Sequence, residues 1–370
     1  MKHSLQETDL LGFAFCFVLL NICYLVSSKH KFNKQPSSLP WLLAFIFCIF
    51  GVWSADYFTF NDDFHQGFPD FRDVLYPYLT YISFDLYPLF RFYIWGLSLL
   101  FFSLSCKRLK FNRNLSICVL IFFYLMSFSY PRAILGMASY FYGLTILKNP
   151  SKDRIRDICN VALLFFFSFL AHRSMVILIA LTPLTYIKLS KKLLFAILVI
   201  SPLIASLALG LIGNIAEGAD YFNNVAALEN FNTTAEIISS LGDEDAWNWK
   251  FMLSRVLDYS GYYVVLIFVS YVFLFSTHSG KIPAFFNQML VILWLLAILA
   301  IVFMIQKLGG LMILGYRLLY MTGIPLCLCM IYILQKRMCK WKTALFVFLP
   351  AILYSESYLF GKILTAMNLW

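Results

Sequence analysis

The sequence predicts an all-α protein, a polytopic bundle of about 12 transmembrane helices. Of its 370 residues, 61% are hydrophobic, only 13% are charged and 39 are phenylalanine. A soluble domain does not have this composition, because its surface needs far more charge. The apolar residues lie in stretches that reach or approach the ~20 residues needed to cross a bilayer. We therefore expect residues 1–370 to form a single integral membrane domain.

The predicted spans follow one another along the chain, and several are shorter than a full crossing of ~20 residues. They are 10–26, 39–58, 84–105, 115–130, 133–147, 158–171, 174–187, 193–213, 259–276, 284–306, 318–334 and 343–358. Segment 76–83 is aromatic and contains Pro77. It lies along the membrane interface, re-enters beside the third span, or extends that span as ordinary helix.

The distribution of charge predicts the orientation of these spans. Of the 29 Lys and Arg residues, 19 follow odd-numbered spans, whereas 17 of the 19 Asp and Glu fall on the opposite side. Basic residues in short loops are retained in the cytoplasm, so both termini are expected to be extracytoplasmic. The first apolar run is expected to be a retained span, and the net charge of +10 reflects topology rather than nucleic-acid binding. The 19 basic residues are Lys29, Lys31, Lys34, Lys107, Arg108, Lys110, Arg113, Lys148, Lys152, Arg154, Arg156, Lys188, Lys191, Lys192, Lys281, Lys336, Arg337, Lys340 and Lys342.

No cofactor or metal is expected from the cysteines or the acidic pairs. All nine cysteines fall in spans or near their cytoplasmic ends, which favours buried thiols over extracytoplasmic disulfides. Cys327 and Cys329 are too closely spaced within one span for a zinc site. Asp62 and Asp63 have the oxygen ligands that Mg²⁺ prefers, although an acidic run in a loop is usually just solvated.

Two extracytoplasmic loops are larger than the others, 59–75 and 214–258. The second is long enough for a short helix or two over the outer mouth of the bundle. Loops of this kind often carry ligand contacts, and a solvated acidic cap is the alternative.

Four basic residues lie at the predicted outer ends of spans. Arg132 opens the fifth span, His172 and Arg173 lie in the turn between the sixth and seventh, and Arg317 opens the eleventh. Spans five to seven measure only roughly 21–23 Å, against a hydrocarbon core of ~30 Å. Their outer ends are therefore expected to be sunk in a cavity. Ionisable groups at that depth favour an anion-binding chamber, with arginine snorkelling to lipid phosphates as the alternative.

A longer pattern surrounds these residues. It consists of Pro131-Arg132-Ala133-Ile134-Leu135-Gly136-Met137-Ala138, the basic turn from Lys148 to Arg156, and Phe169-Leu170-Ala171-His172-Arg173-Ser174-Met175-Val176-Ile177. This pattern resembles the core of the EpsG family of Wzy-type polysaccharide polymerases. Looser similarity over roughly 50–335 includes Ala55-Asp56-Tyr57, Asp62 and Asp63, Asp85-Leu86-Tyr87-Pro88-Leu89-Phe90, and Tyr316-Arg317-Leu318-Leu319-Tyr320. Ala133 stands where the family has a polar residue, which weakens any role for that position.

The resemblance implies a glycosyltransferase of the bacterial inner membrane that joins oligosaccharide repeat units carried on undecaprenyl diphosphate. The product is O-antigen, capsule or exopolysaccharide, and the implied partners include a chain-length regulator and other glycan-assembly proteins. This chemistry needs cations for the departing diphosphate and a base for the attacking hydroxyl. We expect Arg132, Arg173 and Arg317 to bind the diphosphate. The base is then His172, because histidine ordinarily titrates near neutral pH, or a carboxylate of Asp62 and Asp63.

Three alternatives remain at this stage. An O-antigen ligase shares the chemistry and the outer site, and only the resemblance favours a polymerase over it. A flippase for lipid-linked oligosaccharides needs charges along a path through the bundle, whereas here they gather on one side. A transporter with no glycan role is disfavoured, because no pair of broken helices occurs in matching halves of the sequence. For His172 itself, the alternative role is a hydrogen bond to a carbonyl at a helix end.

Overall fold

The computed structural model describes residues 38–50, 64–67, 74–121, 131–186, 263–275, 282–305 and 321–339, together with ten isolated positions. In this part of the chain the regular structure is entirely helical and contains no strand, which confirms the all-α fold class. The predicted spans 10–26, 193–213 and 343–358, both termini and the loop 214–258 lie outside the described ranges. The same is true of Asp62, Asp63 and Arg317.

The described helices, numbered in chain order, are separated by short turns wherever the connecting residues are described. They are α1 Leu39–Phe50, α2 Leu75–Ile82, α3 Tyr87–Arg108, α4 Arg113–Val119, α5 Pro131–Lys148, α6 Arg154–Ala171, α7 Met175–Leu181, α8 Tyr263–Phe275, α9 Ala284–Ile305 and α10 Gly323–Gln335. A 3₁₀ helix, Thr182–Tyr186, continues α7.

Helix α3 is the one described helix that is long and apolar enough to cross a membrane, with a mean hydropathy of 1.5. Four shorter apolar helices of 10–17 residues lie at Ala133–Lys148, Tyr263–Phe275, Phe285–Ala300 and Gly323–Gln335. The described part of the chain is therefore helical and contains one stretch suited to a bilayer, which is a coarser result than the predicted 12 spans.

The structure excludes one of the three alternatives for segment 76–83 and corrects the length of two predicted spans. Helix α2 is separate from α3, because Phe84 and Asp85 between them adopt positive φ values of 50° and 58°. The segment is therefore not an extension of the third span. Helices α5 and α6 each contain 18 residues, about 27 Å, because they continue beyond their apolar parts to Lys148 and Arg154. The lengths of α5 and α6 therefore give no reason by themselves to place their outer ends deep in a cavity.

Contacts between helix ends determine the direction of each helix. Arg108, in the last turn of α3, donates from Nη2 to the Asn149 carbonyl just after α5, at 2.5 Å. The Trp41 indole at the start of α1 donates to the Arg113 carbonyl at the start of α4, at 3.3 Å. Helices α3 and α5 therefore end where α1, α4 and α6 begin. We call this the basic end, since Lys107, Arg108, Arg113, Lys148, Arg154 and Arg156 lie there.

Two acidic side chains organise the turn between α5 and α6 at the basic end. Asp153 caps α6 by accepting from the Arg156 backbone N–H at 3.1 Å. Asp157, just before the predicted span 158–171, accepts from the Ser151 backbone N–H. That hydrogen bond lowers the pKa of Asp157 below its ordinary value, and the guanidinium groups of Arg108 and Arg156 act in the same direction.

A glutamine from α10 fastens the turn between α3 and α4. The side-chain oxygen of Gln335 accepts from the Asn112 backbone N–H at 2.7 Å, and its amide nitrogen donates to the Lys110 carbonyl at 2.9 Å. Asn112 in turn caps α4 by accepting from the Leu115 N–H at 2.9 Å. The last described helix therefore satisfies backbone groups of a turn far earlier in the sequence.

Helix α5 occupies the centre of the described bundle, packing against α3, α6 and α7 and touching α9 and α10. Its side chains Ile134, Met137, Tyr140, Phe141 and Leu144 belong to the main buried cluster. The hydroxyl of Tyr140 lies 3.0 Å from the Leu178 carbonyl oxygen of α7 and 2.7 Å from the hydroxyl of Thr182. These polar contacts join α5 to α7 within an apolar interior.

We expect Tyr140→Phe to lower the free energy of unfolding by about 1 kcal/mol, because the Leu178 carbonyl and the Thr182 hydroxyl lose a buried partner. The measurement is thermal unfolding of the detergent-purified protein. Tyr186→Phe is the matched control, since Tyr186 is an exposed tyrosine at the end of the following 3₁₀ helix. Equal stability of the two variants would contradict the assigned role of the Tyr140 hydroxyl.

Most described cysteines are buried thiols, as predicted. Cys48, Cys106, Cys118, Cys327 and Cys329 are buried, and all seven cysteines in the described ranges are free. Cys159 on α6 is exposed on the surface of the protein, and Cys339 is partly buried.

Candidate functional site

Gly136 lies at a tight contact of α5 with α6 and α7. A Cβ atom built there would lie 2.8 Å from Cγ of Met175, 3.2 Å from the Ser168 carbonyl oxygen and 3.3 Å from Cβ of His172. The Gly136 carbonyl also accepts the Ser168 hydroxyl at 2.7 Å and the Ser139 hydroxyl at 2.9 Å. A glycine is needed here because no larger residue fits without moving its neighbours, a common device where membrane helices pack closely.

His172 ends α6 and forms the turn that leads into α7. Its φ of −159° and ψ of 114° break the helix, and its backbone N–H still donates to the Ser168 carbonyl at 3.0 Å. The His172 carbonyl accepts from the Met175 N–H at 2.9 Å, which fixes the first residue of α7. The His172 side chain is half-buried with Nδ1 directed into the protein, whereas Arg173 is exposed. The predicted tight turn between these helices is confirmed.

Arg132 lies at the same end of the helix pair. Pro131 is the first residue of α5, a position where its missing N–H costs nothing, and Arg132 is the second. Residues 132 and 136 share one face of the helix, one turn or about 6 Å apart along its axis. Because Gly136 touches His172, the backbone of Arg132 stands close to the His172 turn. We call residues 131–136 and 168–175 the His172 end. Of Arg132, the structure describes the backbone only.

An aromatic cluster forms the wall of the His172 end. Phe64, Tyr87 and Phe90 pack with ring centroids 5.0–6.0 Å apart. Leu135 and Ala171, the neighbours of the candidate site on α5 and α6, belong to the same buried cluster. The site is therefore bounded by apolar surface from α2 and α3, which excludes water from one side of it.

Sequence analysis missed the buried arginine of α3. Arg91 is only 2% exposed, donates from Nη2 to the Cys48 carbonyl of α1 at 2.6 Å, and has Cζ 5.8 Å from the Tyr87 ring centroid. It is not among the 19 basic residues that predict the cytoplasmic side, and it lies within the predicted span 84–105. The sequence does contain a signal, because an arginine lies inside a predicted span. Burying its charge there is costly unless the guanidinium has partners such as backbone carbonyls.

In the described part of the chain, three of the predicted site residues lie at the same end of the α5–α6 pair. His172 and Arg173 lie in one turn, and the backbone of Arg132 adjoins it, at the opposite end from the basic end. Asp62, Asp63 and Arg317 fall outside the described residues, so their predicted roles stay predictions. Within the described ranges, no group of three His, Cys, Asp or Glu side chains is arranged to hold a metal ion.

A half-buried imidazole, an exposed guanidinium and an adjoining apolar wall suit an anionic amphiphile. The guanidinium binds oxyanions through paired donors, and histidine is the side chain that most often transfers protons in catalysis. Comparison with known proteins gives no further guidance: no family model, no curated protein and no solved structure matches this chain.

Proposed function

We propose that this protein is a membrane glycosyltransferase that joins undecaprenyl-diphosphate-linked oligosaccharide repeat units into a surface polysaccharide. In this proposal it is a multi-pass protein of the bacterial inner membrane, with about 12 spans and both termini extracytoplasmic. The observation that carries the proposal is the contact of Gly136 with His172, which brings the histidine turn to the end of α5 whose second residue is Arg132.

Helix directions support the assignment of membrane sides. Helices α3 and α5 run from the His172 end to the basic end, and α1 and α6 run back. This alternation agrees with the order of spans predicted from the basic loops. Because basic loops are retained in the cytoplasm, the His172 end is then extracytoplasmic, where lipid-linked repeat units are polymerised.

The reaction transfers a growing glycan from its lipid diphosphate to a hydroxyl of the next repeat unit. The bond between the anomeric carbon and the diphosphate oxygen breaks, and its electron pair leaves with the diphosphate. The acceptor hydroxyl oxygen bonds to the anomeric carbon and gives its proton to a base. Arg132, Arg173 and Arg317 bind the diphosphate, whose charge grows in the transition state. His172 is the base, with Asp62 or Asp63 as the alternative. In other enzymes a metal ion stabilises the charge of a departing diphosphate. Here the arginines do so, and we therefore expect the reaction to need no metal.

The decisive experiment complements a strain that lacks this gene with wild-type protein or with Arg132→Ala, at equal protein level, and measures glycan length on a gel. We expect Arg132→Ala to abolish the ladder while single repeat units are still attached to their acceptor. Arg317→Ala is expected to act in the same way. Arg154→Ala is the matched control, because this exposed arginine lies at the basic end, and we expect it to keep the full ladder.

Other outcomes of the same experiment identify the alternatives. Unattached glycan accumulating on undecaprenyl diphosphate indicates a ligase, and repeat units trapped in the cytoplasmic leaflet indicate a flippase. A normal ladder in the deletion strain would overturn the glycan function altogether. Assembly with a chain-length regulator and other glycan-assembly proteins follows from the proposal and is measured by co-purification from the native membrane.

A further inference from the structure

An open groove of about 510 Å³ runs along the surface between α5 and α6. Its lining comes mostly from α6, with Asn160, Leu163, Phe166 and Leu170, and from α5, with Tyr142 and Ile146. Among the lining side chains, only Asn160 and the Tyr142 hydroxyl carry polar atoms. The groove is therefore an apolar slot on a protein surface, not a pocket for a polar substrate.

The position of the groove relates it to the candidate site. Ten residues of α6 separate Asn160 from Leu170, which corresponds to about 15 Å along the helix, or about half of a hydrocarbon core of ~30 Å. Leu170 is two residues from His172, so the groove ends at the His172 end. On α5 the lining residues Tyr142 and Ile146 lie in the half of the helix nearer the basic end, so the groove runs from the turn that carries Arg173 past the middle of the helix pair.

The floor of the groove is held by rings from three helices. Phe101 of α3 stacks on Tyr142 with centroids 6.0 Å apart, and contacts Phe167 edge-on at 5.9 Å. At Gly143, next to Tyr142, a Cβ atom would lie 3.0 Å from the Phe165 ring of α6. Because these contacts fix the rings without any ligand, the slot is preformed, which lowers the entropic cost of binding a flexible chain.

We propose that this groove binds the polyprenyl tail of the lipid-linked substrate, at the isoprene units next to the diphosphate. The inference rests on the proposed function. The required ligand has an anionic head and one long apolar chain, and the groove is an apolar slot whose lining residue Leu170 lies three residues before the exposed Arg173. A volume of about 510 Å³ lies within the ~300–1,000 Å³ of ordinary ligand pockets. The groove therefore accommodates the first few isoprene units, and the rest of the tail extends into the bilayer.

The test fills the groove with a larger side chain and measures binding by the full-length protein in nanodiscs of phosphatidylethanolamine and phosphatidylglycerol. Leu163 is 66% exposed and lines the groove, so Leu163→Trp occupies space without disturbing the core. Ile158, on the same helix and 63% exposed, lies outside the lining, and Ile158→Trp is the matched control. The probes are undecaprenyl diphosphate and inorganic diphosphate, which carries the head group alone.

We expect Leu163→Trp to weaken binding of undecaprenyl diphosphate about tenfold, because a few buried methylene groups lose their contacts. Binding of inorganic diphosphate is expected to stay unchanged in this variant and to weaken in Arg132→Ala. Equal affinity of Leu163→Trp and Ile158→Trp for undecaprenyl diphosphate would overturn the tail site.

A second measurement serves if the tryptophan variant fails to fold. A photoreactive benzophenone side chain at Phe166, which is 59% exposed in the groove, is expected to cross-link to undecaprenyl diphosphate, and the same group at Ile158 is not. Cross-linking to phospholipid alone at both positions would overturn the inference, since the groove would then be ordinary lipid-facing surface.

Failure of this inference is distinguishable from failure of the proposed function. A ladder that depends on Arg132, together with unchanged lipid binding in Leu163→Trp, rejects the groove and retains the polymerase. A normal ladder in the deletion strain, together with a tenfold loss of lipid binding in Leu163→Trp, rejects the polymerase and supports a polyprenyl-binding groove with another role.

Discussion

Replacing Gly136 with leucine is expected to destabilise the protein by about 3 kcal/mol and to abolish the glycan ladder. The new side chain would overlap Met175 and press on the backbone of Ser168, so α5 must move away from α6 and α7 at this point. The Ser168 hydroxyl would then lose its bond to the Gly136 carbonyl, and His172 would move away from the α5 end that carries Arg132. The measurement is thermal unfolding of the purified protein, combined with glycan length in the complemented strain.

Alanine variants at two glycines provide the matched control. At Gly96 of α3 the nearest atoms to a new Cβ belong to Phe45, at 3.4 and 3.5 Å, which is ordinary contact. Gly96→Ala is therefore expected to be neutral or stabilising by up to about 1 kcal/mol, because alanine favours helix. Gly136→Ala is expected to be less stable than Gly96→Ala by about 1–3 kcal/mol. Equal stability of the two variants, with an intact ladder in Gly136→Leu, would contradict the close packing assigned to Gly136.

His172→Ala is expected to lower the rate of polymerisation by about 10²–10⁴-fold while the protein remains folded. The turn survives because its hydrogen bonds to Ser168 and Met175 use the backbone of residue 172, not the imidazole. The rate is measured in membrane vesicles supplied with lipid-linked repeat units. Added imidazole is expected to restore part of the rate in His172→Ala, because a small base replaces the missing one. A purely structural role would not respond in this way.

His30→Ala is the control, since His30 lies in a loop predicted to be cytoplasmic. It is expected to keep the wild-type rate with or without imidazole. A wild-type rate in His172→Ala would show that this histidine is not the base, and Asp62→Asn and Asp63→Asn then become the variants to measure. A low rate in His172→Ala without any rescue by imidazole would favour the structural role at the helix end.

Helix positions were predictable because apolar runs and their flanking charges mark helix ends. Predicted spans 84–105 and 284–306 correspond to α3 Tyr87–Arg108 and α9 Ala284–Ile305 within a few residues. The separation of α2 was not decided by the sequence. It depends on positive φ values at Phe84 and Asp85, a conformation that no residue type there demands.

Part of the candidate site was also predictable, since an arginine after a proline and a histidine between two apolar runs indicate helix ends. What the sequence does not indicate is which helix faces touch, because helices that are apolar all round give no preferred face. In the sequence, Gly136 is noted only as part of a motif. Its contact with His172 depends on how the helices pack and could not be predicted. The same is true of the groove beside Leu163 and of the burial of Arg91, which depends on a carbonyl 43 residues away.

The hydrogen bonds of Gln335 have a consequence for biosynthesis. The residue that accepts the Asn112 N–H is 223 positions further along the chain, so the ribosome reaches it on the order of 10–45 s later at ~5–20 residues per second. During that interval the turn between α3 and α4 has been synthesised but lacks the side-chain acceptor for its Asn112 N–H. Completion of this turn therefore coincides with the synthesis of α10, the last described helix, and a nascent chain released before that point would lack the acceptor of the Asn112 N–H.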